Sequence, residues 1–206
     1  MQRVIAYIDG FNLYFGLREN RWRKYYWLDL VKLVQSLLKP DQQFVAAHYF
    51  TARIRDAGNN SSDSKRQSIY LDALATLPAI TIHEGHYLQK KVQCRKCGVT
   101  WSTFEEKMTD VNIAAQLLVD AFDNRYDTAL IISGDSDLTT PVQRVRERFP
   151  DKRVVIALPP KRHSQQLTLA ANGAFTIGEA KLRQSQLPDK VVTTGGYILQ
   201  RPEHWR

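Results

Sequence analysis

The stretch "RVIAYIDGFNLYFGL", residues 3–17, decides the fold. An unbroken apolar run from Val4 to Ile8, rich in strand-favouring residues, predicts a strand buried on both faces, as in the middle of a parallel sheet. The run stops at Asp9, with Gly10 next and Asn12 three positions after the acid. A carboxylate at the carboxyl end of such a strand stands where open α/β sheets collect ligands. Asp is also a good helix N-cap, and a helix is expected from about Phe11. This stretch alone leaves both roles for Asp9 open.

Working outward, strand-like and helix-like patterns alternate. "WLDLVKLVQSLL" (27–38) puts Leu30, Leu33, Val34, Leu37 and Leu38 on one helical face, and Pro40 ends it. "FVAAHYFTA" (44–52) predicts a second strand, "SIYLDALATL" a helix and "AITIHEGHY" (79–87) a third strand. A less regular segment follows from about 88 to 107. "TDVNIAAQLLVDAF" (109–122) predicts a helix capped by Thr109, and "DTALIIS" (127–133) a buried strand. "TTPVQRVRERF" predicts another helix, "KRVVIAL" (152–158) a fifth strand, and a short helix is expected near 164–171. Such alternation implies a mostly parallel sheet with helices on both faces, an α/β sandwich. One domain over residues 1–180 is expected, with a cysteine-containing insertion at about 88–107. The polar tail 181–206 has a weak pattern and suggests no role.

The 206-residue chain can bury a substantial core, and no stretch approaches the length of a membrane span. No leader-like segment opens it, so a cytoplasmic location is expected. Lys and Arg outnumber Asp and Glu by 29 to 21, a net charge of +8 that favours polyanionic partners.

Acids recur where core elements begin or end. Asp9 closes the first strand, Asp110 opens a helix, and Asp135 and Asp137 follow "ALIIS". Each alone suits a helix terminus, where a negative charge meets the dipole. Parallel strands share one direction, so these acids are expected on one edge. Converging carboxylates repel unless a cation sits among them, and an all-oxygen set suits Mg²⁺ or Mn²⁺. On a basic chain, that points to phosphodiester chemistry. Asn12 is placed to orient a water or phosphate, and Ser133 and Gly134 to approach a phosphate path.

"YIDGFNLY", "EEKMTDVNIAAQLLVDA" and "LIISGDSDL" together resemble the three signature segments of the NYN domain, a branch of the PIN-like nuclease superfamily. The resemblance spans residues 3–178. It implies a three-layer α/β/α sandwich and a ribonuclease dependent on Mg²⁺ or Mn²⁺. It makes Asp9, Asp110 and Asp135 the metal-binding acids, Asp137 a supporting one, and Asn12 the asparagine behind part of the domain's name. One departure stands out: "LAANGAF" puts Asn172 where many members carry a further acid. If that acid helps hold a second metal, this chain is expected to bind one metal tightly.

Basic residues cluster in "RENRWRKYYW" (18–27), where Arg18, Arg21, Arg23 and Lys24 alternate with Trp22, Tyr25, Tyr26 and Trp27. Cations beside rings suit single-stranded RNA, although Trp27 fits core packing better. Arg53 and Arg55 follow the second strand and Lys107 precedes Asp110, so these join Ser133 as expected RNA contacts. Glu105 and Glu106 either add acid there or face solvent. Cys94 and Cys97, in "CRKCG", resemble half of a zinc site. His83 and His86 could complete it, or a second copy of the chain could, as a homodimer; a metal-free loop is the other reading. His48 and His163 read as ordinary strand and loop residues. Two rival functions remain: a non-catalytic RNA-binding module of the same fold, and a phosphatase. For an aspartyl-phosphate phosphatase, Phe11 stands where a second Asp is required.

Overall fold

The computed structural model describes residues 1–54 and 61–206, and the backbone alone for residues 61, 86–90 and 101–107. Arg55 lies outside the described residues. Seven strands form one sheet: β1 (Gln2–Asp9), β2 (Gln42–Ala52), β3 (Ile80–Gln93), β4 (Thr100–Lys107), β5 (Thr128–Ile132), β6 (Arg153–Leu158) and β7 (Gly173–Thr176). Their order is β4-β3-β2-β1-β5-β6-β7. Every pair is parallel except β3–β4.

The apolar run of β1 is central for the reason its sequence implies. Val4 to Ile8 are fully buried, with β2 on one side and β5 on the other. Alternate residues feed opposite cores. Val4, Ala6 and Ile8 pack with α1 (Gly10–Glu19), α2 (Leu30–Leu37) and α3 (Ser61–Leu74). Ile5 and Tyr7 pack with α4 (Thr109–Phe122), α5 (Thr139–Arg148) and α6 (Gln165–Ala170). The chain is a three-layer α/β/α sandwich, as expected. Strand order turns outward in both directions from the β1/β5 pair, so connections from these two strands leave to opposite faces. That divergence opens a crevice at their carboxyl ends.

Two regions differ from expectation. The segment expected to be irregular, 88–107, forms an antiparallel arm. β3 pairs with β2 only as far as Gly85, then continues from His86 to Gln93 against β4. Those eight residues carry the arm about 26 Å beyond the carboxyl edge of the sheet. The tail is structured too: α7 (Glu179–Gln184), the hairpin β8 (Lys190–Val192) and β9 (Ile198–Gln200), and a closing turn that buries Trp205. Trp205, Leu187 and Val191 join Trp27 and Ala73 in a third apolar cluster. The Trp27 indole donates to the Pro188 carbonyl at 2.8 Å, which ties the tail to the body.

Candidate metal centre

Asp9 ends β1 and caps α1. One carboxylate oxygen accepts the Asn12 backbone N–H at 2.9 Å, and the other accepts the Ser133 hydroxyl at 2.9 Å. So the capping role expected as an alternative is real, and it coexists with the other. The register keeps Asp9 on the α4 side of the sheet with Ile5 and Tyr7. Asp110 sits in the first turn of α4, and Asp135 caps a short 3₁₀ turn after β5 by accepting the Asp137 N–H at 3.1 Å. One carboxylate oxygen from each of Asp9, Asp110 and Asp135 lies within 4.8 Å of the others. Asp9 is buried and its two partners are half-buried.

Electrostatics follow from that geometry. Burial, reinforced by Asp110 and Asp135, pushes the Asp9 carboxyl up to about 7, against the opposing hydrogen bonds from Asn12 and Ser133. A carboxylate so placed ionises readily only beside positive charge. The all-oxygen donor set fits a hard divalent cation, so Asp9, Asp110 and Asp135 are the residues that would hold Mg²⁺ or Mn²⁺.

The remaining expected residues divide. Asn12 lies in the site, but its side-chain oxygen accepts the Gly134 N–H at 2.9 Å, so it braces the β1 turn against the β5 turn. Ser133 is buried and braces likewise: its oxygen also accepts the Asp135 N–H at 3.1 Å. Asp137 is exposed and outside the three-acid group. Arg53 is bound at 2.9 Å by both carboxylate oxygens of Glu84 on the neighbouring strand. Arg21 lies beyond the far end of α1, about 15 Å along the helix from Asp9. Of the aromatic cluster, Trp27 and Tyr25 are core residues, Tyr25 donating to Glu179 at 2.7 Å. Only Arg18 and Tyr26 reach a cavity that Gly10 and Phe11 also line. The side chain of Lys107 is among those not described.

The cysteines and histidines do not form one site. Cys94 and Cys97 stand at the tip of the arm, whereas His83 lies inside the sheet with its Nε2 2.9 Å from His48 Nδ1. His48 in turn lies 3.3 Å from the fully buried Asp120. Eleven residue steps along extended strand, about 36 Å, separate His83 from Cys94, and eight steps separate His86, whose side chain is not described. Asn172 is placed where it cannot matter to the acids: its side-chain oxygen accepts the Val154 N–H at 2.8 Å, at the start of β6 and the opposite edge of the sheet.

The sequence reading missed the loop after β6 as part of the site. Ideal Cβ atoms on Gly134 and Gly16 would lie 2.9 Å from Arg162 Cβ and 2.5 Å from the Pro160 oxygen. Those glycines let "PPKRH" close over the crevice, which two separated glycines could not announce in sequence. Arg162 pairs with Glu19 at 2.6 Å and lies over the Phe15 ring.

A parallel sheet with three carboxylates gathered at its switch point defines a PIN-like α/β protein. The chain belongs to the NYN domain family, whose profile matches residues 3–178. A Pseudomonas putida protein named 6-hydroxy-3-succinoylpyridine 3-monooxygenase is 28% identical over an alignment covering 98% of this chain and 75% of that protein. A Vibrio parahaemolyticus protein of unknown function has a similar solved structure, with a TM-score of 0.57 and 20% identity, covering 90% of this chain and 96% of that one.

Proposed function

We propose that the chain is a Mg²⁺- or Mn²⁺-dependent endoribonuclease acting on single-stranded RNA. The convergence of Asp9, Asp110 and Asp135 within 4.8 Å at the sheet's switch point supports this reading most directly. A bound divalent ion there supplies charge neutralisation and a more acidic water for phosphodiester hydrolysis. The protein's own part is positional: Ser133 and Asn12 fix Asp9 and the β5 turn, and the loop at 159–163 narrows the crevice. The net charge of +8 suits a polyanion. Labelled single-stranded RNA and DNA incubated with Mn²⁺ or EDTA test the reading. Cutting of RNA is expected with Mn²⁺ alone and should fall at least about 100-fold in Asp110→Asn. Tight RNA binding without metal-dependent cutting would instead favour the non-catalytic RNA-binding module.

The Pseudomonas relative suggests a second reading, hydroxylation of a free pyridine ring, favoured by an aromatic-lined cavity that includes Gly10 and Phe11 after Asp9. Against it, among the described residues the acid cluster contains no imidazole, unlike the two-His-one-carboxylate sites of iron oxygenases. Incubation of a hydroxypyridine with O₂, a reductant and the metal-loaded protein separates the two.

For the arm, we infer that zinc binds between two copies of the chain, each giving Cys94 and Cys97, because neither expected histidine is within reach. A cytoplasmic setting would keep both thiols reduced. Among the described residues no helix is long and apolar enough to cross a membrane.

A further inference from the structure

Between α1, the carboxyl end of β2 and α3 lies a cavity of about 280 Å³. Gly10 and Phe11, the two residues that follow Asp9, line it, as does Tyr49, whose hydroxyl feels the Asp9 charge. Tyr14, Phe15, Tyr26 and Tyr70 contribute rings to its wall, and Arg18 and Arg66 contribute cations. Tyr14 and Phe15 are 41% and 38% exposed. Tyr14 and Tyr26 stand 5.0 Å apart between centroids, and Arg18 lies over Phe15. Rings for stacking beside cations for phosphate are the two components of single-strand binding.

We propose that this cavity takes one unpaired nucleobase, that of a nucleotide bordering the phosphate held at the acids; the proposal rests on the nuclease reading for the identity of that phosphate. The cavity is poor in groups that read base edges. Gln67 is committed, accepting the Ile54 N–H at 2.7 Å and donating to the Ala52 carbonyl at 2.9 Å. Arg66 is engaged by Asp63. Stacking dominates, so purines and pyrimidines enter alike. The shared chemistry is a planar heterocycle, which a strand or a free small molecule could supply. A strand is the better source because Arg18 at the wall matches a phosphate beside the base.

Abasic scanning tests it, in EDTA so that no cutting is needed. A single-stranded RNA of about ten nucleotides is made with one abasic position at a time. Wild-type binding should weaken at one position by about 5- to 100-fold, the range expected for a lost base–ring stack. In Tyr14→Ala that position should lose its special effect, and Tyr14→Phe should restore it. Tyr14 is exposed, so the fold is expected to survive, which a melting curve checks. Equal effects at all positions, or an unchanged pattern in Tyr14→Ala, would overturn the proposal. Tight binding of free nucleosides or a free hydroxypyridine that the RNA cannot displace would overturn it as well. Because the readout is binding, a positional effect without Mn²⁺-dependent cutting would sustain the pocket and sink the nuclease reading alone.

Discussion

At Asp9, burial and hydrogen bonding pull in opposite directions, and burial wins. Its folded carboxyl titrates near 7 while an unperturbed one titrates near 3.8. Between those values the native chain keeps a proton that the unfolded chain has released. Stability of the metal-free protein therefore falls as pH rises through that window. Melting curves in EDTA at pH 5 and pH 8 should show this contribution lost at the higher pH. Asp9→Asn should flatten the dependence and stabilise the metal-free protein at pH 8 by about 1–3 kcal/mol. Mn²⁺ prefers the ionised form, so its stabilising effect should be slight at pH 5 and full at pH 8 in wild type, and absent in Asp9→Asn. A substituted protein less stable than wild type at pH 8 in EDTA would contradict this account. The three acids were legible because each sits at an element end that the apolar pattern marks. The pairing of Arg53 with Glu84 was not legible, because Glu84 is brought alongside only by the pairing of two strands.

At the scale of elements, the β3–β4 arm was not legible because 88–107 lacks the continuous apolar run that marks β1 and β5. At its tip, the backbone N–H groups of Cys97 and Lys96 hold the Cys94 thiol below its ordinary range, and Gly98 takes the positive φ that closes the turn. A zinc ion with four thiolates carries two negative charges, which Arg95 and Lys96 from each of two tips would offset. Purified under reducing conditions, the protein should hold about half an equivalent of zinc per chain and sediment as a dimer. A strong chelator should release both zinc and partner, and Cys97→Ser should leave a zinc-free monomer. One full equivalent on a monomer would refute the shared site.

Across the whole molecule, the crevice exists because chain connections diverge from the β1/β5 pair, and the third apolar cluster exists because the tail returns to Trp27. Trp205 packs edge-on against Tyr26 and Tyr70, with centroids 5.8 and 6.0 Å apart, and tilted against Trp27 at 6.3 Å. Trp205→Ala should lower stability by about 3–5 kcal/mol in urea unfolding, with a lower midpoint and a similar slope. A loss below about 1 kcal/mol would mean that the tail contributes little to the body. The sequence by itself determined the alternation of strands and helices, the centrality of β1 and the acids at its edge. Those follow from local periodicity and from the shared direction of parallel strands. Only the tertiary structure decided which cations are already paired, which rings are core and which line a cavity, and that the tail belongs to the fold. Each of these depends on contacts between residues far apart in the chain, on which local pattern is silent.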